Sequence, residues 1–250
     1  SPEAQRIVTA GFGDAVRVWD AGSGEELLQA RPAPSSWGVA IDPTGALLVA
    51  MSDDPIARLY DLSTLDELGR FVGHTDGGID ATISADGRRV VTTSNDGTAR
   101  VWSVDDQQEL LVFNEHTGGV VSAEFSPDGE LVATAGNDGR VLIWEVDTGA
   151  VQLELTGHAG QLGQVSWHPS GRELAVASGG GVAQVFDISA GGSREVLTIE
   201  ADPGGVGEAD LSPDGMLIAT VGSDQTARIF AADTAELIAE FPPAGDVLTS

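Results

Sequence analysis

Short runs of apolar and β-branched residues recur along the whole chain, separated by polar turn sequences. One stretch, from Val120 to Leu155, reads VVSAEF, ELVATAG, RVLIWEV and VQLEL, with SPDG, NDG and DTG at the turns. Runs of this length bounded by Gly, Pro, Asn and Asp predict strands joined by tight turns. Four such strands in succession predict one antiparallel meander.

The meander is repeated with a period of about 42 residues. The aromatic residue of its third strand occurs at Trp19, Tyr60, Trp102, Trp144, Phe186 and Phe230. A four-stranded sheet with two apolar faces cannot bury both by itself, so it must stack against copies of itself. The pattern therefore predicts an all-β fold, a β-propeller of six four-stranded antiparallel blades.

Two copies also carry a fixed set of four residues, with the Asp between the His and the Trp in sequence: His74, Thr92, Asp96 and Trp102, and His116, Thr134, Asp138 and Trp144. An NDG sequence forms a tight hairpin turn whose Asp can accept a hydrogen bond from imidazole, and strand parity puts the Thr and the Trp on one face. These motifs resemble those of the WD-repeat (tryptophan-aspartate repeat) β-propeller family, over the whole chain. The resemblance implies that each set forms a hydrogen-bonded structural tetrad.

Other copies have lost members of this set. The fifth keeps His158 but has Val176 and Phe186, which leaves the imidazole without those partners. In the sixth, Asp202 stands in the histidine position. Because a buried polar group that loses its partner is destabilising, we expect these two blades to be the least rigid.

The two ends of the chain together complete one copy. Residues 1–11 align with the second-strand sequence at 126–136, and residues 246–250 match the beginning of a first strand. This predicts a single propeller domain over residues 1–250, closed when the C-terminal strand pairs with the three N-terminal strands. The alternative is the six-repeat portion of a larger or seven-bladed propeller.

Charge restricts the class of partner. The chain has 12 Lys+Arg against 39 Asp+Glu, a net charge of -27, and no cysteine. Nucleic acid and anionic membranes require basic surface, so both are disfavoured, and a protein or peptide with basic flanks is favoured. The alternative is an acidic surface that serves solubility alone. No apolar run is long enough to span a bilayer. We expect a monomeric domain, located in the cytoplasm.

Catalytic chemistry finds little support. Three of the 4 histidines occupy the repeated loop position, and His168 replaces the serine that begins the corresponding turn in other copies. No HExxH, GxSxG or P-loop motif is present. We therefore predict no catalytic residue, no cofactor and no metal site. The alternative function is a propeller that binds or hydrolyses a small molecule at the mouth of its channel.

The family resemblance implies that two repeated positions, one in the first strand and one just before the hairpin Asp, approach the channel entrance. The candidate interaction surface taken from them is Phe12, Trp37, Ile79, Val121, Leu248, Asp53, Asn95 and Asn137. An apolar cluster with a polar rim has the composition of an interaction hot spot. We predict a non-catalytic protein-interaction scaffold or sensor domain, part of a larger signalling or regulatory protein. Alternatively, Phe12 and Trp37 fold inward.

Overall fold

The structure, a computed structural model, describes residues 5–10, 16–30, 36–158, 160–189 and 192–242, with the backbone alone described at residues 30, 36 and 37. Within these residues all regular secondary structure is β, in six antiparallel sheets. The prediction of an all-β fold built from six antiparallel propeller blades is thereby confirmed. The chain divides into two compact units, residues 1–152 and 153–250, which are described separately.

The first unit contains the first four blades, and the last strand of the fourth runs into the second unit. The first blade has the described strands β1 (Arg6–Thr9), β2 (Val16–Asp20) and β3 (Glu26–Ala30). The second has β4 (Ser36–Ile41), β5 (Leu47–Ser52), β6 (Ile56–Asp61) and β7 (Glu67–Val72). The third has β8 (Gly78–Ile83), β9 (Arg89–Ser94), β10 (Ala99–Ser103) and β11 (Glu109–Phe113). The fourth has β12 (Val120–Phe125), β13 (Leu131–Gly136), β14 (Val141–Glu145) and β15 (Val151–Leu155).

The second unit contains the fifth and sixth blades. The fifth has β16 (Leu162–Trp167), β17 (Glu173–Ser178), β18 (Val182–Asp187) and β19 (Arg194–Glu200). The sixth has β20 (Val206–Leu211), β21 (Leu217–Gly222), β22 (Ala227–Ala231) and β23 (Leu237–Phe241). In every blade each strand pairs with its neighbour in sequence, so the sheets are simple meanders.

The core lies between successive blades. In the first unit, β9 and β10 of the third blade pack with β12, β13 and β14 of the fourth into one buried cluster. Phe113, at the end of β11, stacks on Trp144 of the next blade with ring centroids 4.4 Å apart. The second strands of the second to fifth blades, β5, β9, β13 and β17, are buried along almost their whole length, which explains why they read as continuous apolar runs rather than as an alternation. Burial of a Trp contributes about 4 kcal/mol or more.

Two predictions about the ends lie outside the described residues. The strand proposed to close the first blade falls in residues 243–250, and residues 11–15 are also outside. Closure of the ring and the single-domain organisation therefore stay predictions.

The sixth blade departs from the third, fourth and fifth at its central hairpin turn. Gln225 has φ 63°, in the left-handed region, where Gly97 and Gly139 stand at 83° and 78° in the corresponding turns. The Gln225 amide donates to the Gly222 carbonyl at 3.0 Å, as the Gly139 amide donates to Gly136. The turn therefore keeps the same backbone hydrogen bond, although a residue with a side chain disfavours the left-handed conformation that the turn requires.

We expect Gln225→Gly to raise the free energy of unfolding by about 0.5 kcal/mol or more, because glycine removes the left-handed strain and Gln225 is exposed. Urea denaturation measures the change. The reverse exchange in the fourth blade, Gly139→Gln, should lower stability, and equal signs for the two variants would contradict the strain argument.

Candidate functional site

The third blade holds a continuous chain of hydrogen bonds from its core to its hairpin turn. Trp102 Nε1 donates to Thr92 Oγ1 at 2.8 Å, and the same oxygen lies 2.8 Å from His74 Nε2. His74 Nδ1 lies 3.0 Å from Asp96 Oδ2. Because the carboxylate is an acceptor, the imidazole donates through Nδ1 and accepts from the threonine through Nε2. The four residues thus tie two strands to the loop before the blade.

The electrostatics of this chain keep the imidazole neutral and the carboxylate charged. Burial lowers the pKa of His74, against the opposing hydrogen bond to Asp96. Burial alone would raise the pKa of Asp96, but hydrogen bonds from Thr98, the Thr75 amide and His74 outweigh it and lower that pKa to about 2. The negative charge therefore persists in a nearly buried position.

The fourth blade repeats the arrangement. His116 lies 3.0 Å from Asp138 through Nδ1 and 2.9 Å from Thr134 through Nε2. Trp144 Nε1 donates to the same threonine at 3.3 Å, and the Thr117 amide donates to Asp138 at 2.9 Å. Burial opposes the charge of Asp138, but the Thr117 amide and His116 lower its pKa to about 2.

The fifth blade replaces the missing partners with an amide. His158 Nδ1 lies 2.9 Å from Gln184 Oε1, and Gln184 Nε2 donates to Glu195 at 2.8 Å. Since the amide nitrogen serves Glu195, its oxygen must face the histidine, so His158 donates through Nδ1. The other ring nitrogen, Nε2, is buried and has no hydrogen-bond partner among the described residues. Sequence reasoning missed Gln184, which no motif marks.

The second and sixth blades lack the histidine of the tetrad, and the remaining polar groups differ between them. Asp202, in the histidine position of the sixth, is buried and accepts the backbone amides of Asp224 at 2.9 Å and Gly204 at 2.8 Å. It therefore holds the hairpin turn directly. In the second blade, the Tyr60 hydroxyl is buried without a hydrogen-bond partner among the described residues, and burial raises its pKa to about 12.

The first strands carry a β-bulge at the position chosen for the interaction surface. In the third blade the register shifts between Gly78 and Ala81, and in the fourth between Val120 and Ser122. These bulges contain Ile79 and Val121, both only half-buried. A bulge re-aims side chains and is common beside functional sites. Sequence spacing placed the two residues in one column but did not reveal the bulge.

Hydrogen bonds from the adjacent hairpin turns hold this edge in place. The backbone N–H of Asn95 donates to the Gly77 carbonyl at 3.0 Å, and the backbone N–H of Asn137 donates to the Gly119 carbonyl at 2.8 Å. A Cβ added at Gly119 would lie 3.3 Å from Asn95 Oδ1 and 3.1 Å from Asn137 Nδ2. Both exposed amide side chains therefore flank one glycine, so these two predicted residues come together.

A cavity of about 440 Å³ opens at this edge, and we call it the hairpin pocket. Its lining is Asp53, Asp76, Gly77, Gly78, Ile79 and Asn95. Three of the predicted surface residues, Asp53, Ile79 and Asn95, thus line one pocket across the second and third blades. Asp76 was missed, although its place just before two glycines and the first strand is a usable signal; it accepts the Gly77 amide at 2.7 Å.

The remaining predicted surface residues do not line this pocket. Val121 and Asn137 lie one blade further on. Phe12 and Leu248 fall outside the described residues, as does the side chain of Trp37, so the aromatic part of the predicted surface stays a prediction. Within the described part of the chain, no group of three His, Asp or Glu side chains could hold a metal ion, and no helix is long and apolar enough to cross a membrane.

Comparison with known families gives a match over four segments of the chain. The family model WD40, described as WD domain, G-beta repeat, matches residues 65–103, 107–145, 149–187 and 193–230. A comparison with curated proteins found no significant match.

The tetrads predict a loss of stability in acid. The pKa values of Asp96 and Asp138 are about 2 in the folded chain against an ordinary value of 3.8, so their contribution is complete above about pH 5 and is lost as the pH falls towards 2. We expect each carboxylate to contribute about 1 kcal/mol or more. Urea unfolding from pH 6 to pH 2 measures the slope.

In that experiment Asp96→Asn should be less stable than the parent at pH 6 and should show a shallower acid slope. Asp105→Asn, at an exposed turn of the same blade, is the control. Parallel slopes for the parent and Asp96→Asn would contradict the assignment.

The fifth blade predicts a stabilising exchange. Val176 occupies the position of Thr92 and Thr134, and the unpaired Nε2 of His158 is a hydrogen-bond acceptor. Val176→Thr should supply the donor and raise the free energy of unfolding by about 1 kcal/mol. The measurement is thermal and urea unfolding, with Val176→Ala as the control that removes volume without adding a hydroxyl. A destabilised Val176→Thr would show that His158 Nε2 does not accept from this position.

Proposed function

Because the chain belongs to the WD40 repeat family, we propose that it is a non-catalytic platform for protein association that docks its partner at the hairpin pocket. Propellers of this family generally act as protein-interaction scaffolds and are typically non-enzymatic. We propose further that it is a scaffold or sensor part of a larger signalling or regulatory protein. Two features support this proposal: the repeat architecture, and a hairpin pocket lined by apolar, acidic and amide side chains.

The observation that carries the proposal is the composition of the hairpin pocket. The lining combines the apolar side chain of Ile79 with two acidic side chains, Asp53 and Asp76, while Asn95 adds an amide that can donate and accept. Such a site suits a large apolar side chain that is anchored by polar contacts at its rim.

Charge favours a partner whose anchor is flanked by Lys or Arg. The net charge of -27 attracts basic segments over a distance of about a Debye length, 8–10 Å at physiological salt. Rim carboxylates then act mainly on the association rate and on orientation, whereas the apolar anchor determines the dissociation rate. The two parts of the pocket therefore have separable kinetic signatures.

Selection from a random dodecapeptide phage library, followed by calorimetry on synthetic peptides, tests the proposal. We expect enriched peptides to carry a large aliphatic or aromatic residue beside Lys or Arg. The double variant Asp53→Asn, Ile79→Ala should bind them at least about tenfold more weakly, a change of about 1.4 kcal/mol.

The matched control is Asp105→Asn, Leu110→Ala, which removes the same kinds of group from an exposed turn and the outer strand of the third blade. It should bind within about twofold of the parent, since neither residue lines the pocket. Equal binding by the two double variants, or selected peptides without basic residues, would count against this docking site.

A further inference from the structure

The second unit has a cavity of about 420 Å³ where turns of its two blades meet. Its walls are His168, Glu173, Val196, Leu197, Gly215, Met216, Ala232 and Asp233. Four of these are apolar side chains and two are carboxylates. The size lies in the range of small-ligand sites, and the lining combines apolar walls with a few charged groups.

Neither carboxylate is neutralised from within the described part of the chain. The side-chain carboxylates of Glu173 and Asp233 make no hydrogen bond or ion pair with any described residue. The described arginines of this unit that form ion pairs do so elsewhere: Arg194 with Asp187, and Arg228 with Asp224 and Glu240. Two negative charges therefore face one partly apolar cavity without a cation.

The same two positions in the third and fourth blades hold an arginine and an aspartate that contact each other. Glu173 begins β17 as Arg89 begins β9, and Asp233 follows β22 by two residues as Asp147 follows β14. Between the third and fourth blades, Arg89 Nη2 contacts Asp147 Oδ1 at 2.9 Å. Between the fifth and sixth blades Glu173 stands in the position of Arg89, so this pair of positions carries two carboxylates and no guanidinium.

His168 occupies the position of Ser84 and forms one wall of the cavity. Its Nδ1 lies 2.7 Å from Ser170 Oγ and accepts the Ser170 amide at 3.1 Å. In the neutral ring the proton is therefore on Nε2. A Cβ added at Gly215 would clash with this ring, which shows that the imidazole lies directly over the glycine at the cavity wall.

We infer that this cavity binds an alkylguanidinium group, which takes the place that an arginine of the chain fills between the third and fourth blades. The two carboxylates accept the planar, forked donors of a guanidinium. Val196, Leu197, Met216 and Ala232 contact the methylenes that carry it. An arginine side chain of a partner and a free alkylguanidine share this chemistry. The site is separate from the hairpin pocket, which lies in the other unit.

Titration with butylguanidinium, followed by the NMR signals of the Met216 methyl and the His168 ring, tests the inference. A Kd on the order of 1 mM is expected for so small a ligand. Butylurea has nearly the same shape without the charge, and it should bind at least about tenfold more weakly. A capped alanine-arginine-alanine tripeptide shows whether a protein side chain can reach the cavity: equal or tighter binding assigns the site to a partner, and weaker binding assigns it to the free alkylguanidine.

The decisive variant is Glu173→Arg, which should restore the ion pair with Asp233 and exclude the ligand. Butylguanidinium affinity should fall at least about tenfold, while Glu200→Arg, an exposed site with the same change in charge, should bind within about twofold of the parent. Asp233→Asn is the second variant and should also weaken binding. Equal affinity for butylurea, or equal loss in Glu200→Arg, would overturn the inference.

Discussion

Burial of both faces of the blades from the second to the fifth is the constraint on which the rest of the structure depends. A second strand such as β9 or β13 has no solvent face, so its residues must be small or β-branched and its neighbours must be copies of the same sheet. Stacking then fixes where turns and bulges lie. The candidate sites are therefore at the two ends of the strands, where the sheets stop and the backbone bends.

The buried polar groups contribute less to stability than the apolar packing between blades does. Each neutral hydrogen bond contributes only about 1 kcal/mol, whereas burial of Trp102 or Trp144 contributes several times more. The tetrads therefore specify geometry more than they supply stability. Where the set is degraded, a new partner appears, such as Gln184 beside His158, or one group is left alone, such as the Tyr60 hydroxyl.

Sequence periodicity predicted the strands and blades because the period of the apolar runs is a direct consequence of stacking. The family resemblance, and not periodicity, implied that Asp53, Ile79 and Asn95 share one edge, and the pocket between them depends on a bulge that no residue pattern marks. Asp202 shows the limit of reading a repeat by its consensus. It replaces the histidine found in other blades, yet its carboxylate accepts hydrogen bonds from two backbone amides and so holds the hairpin turn. That the fifth and sixth blades are the least rigid stays a prediction. Both blades contain replacement contacts, made by Gln184 in the fifth and by Asp202 in the sixth.

A repeat fold also explains how a binding site can arise from a structural contact. The pair Arg89–Asp147 joins two blades across their turns, and because the aspartate is exposed its contribution to stability is small, about 1 kcal/mol or less. Losing one member therefore leaves the stack intact, because burial and not the ion pair holds the blades together. What remains is a charge with its geometry preserved by the surrounding sheets. At the Glu173–Asp233 cavity the position equivalent to Arg89 carries a carboxylate instead of a guanidinium, and the surrounding sheets hold the two negative charges beside apolar walls.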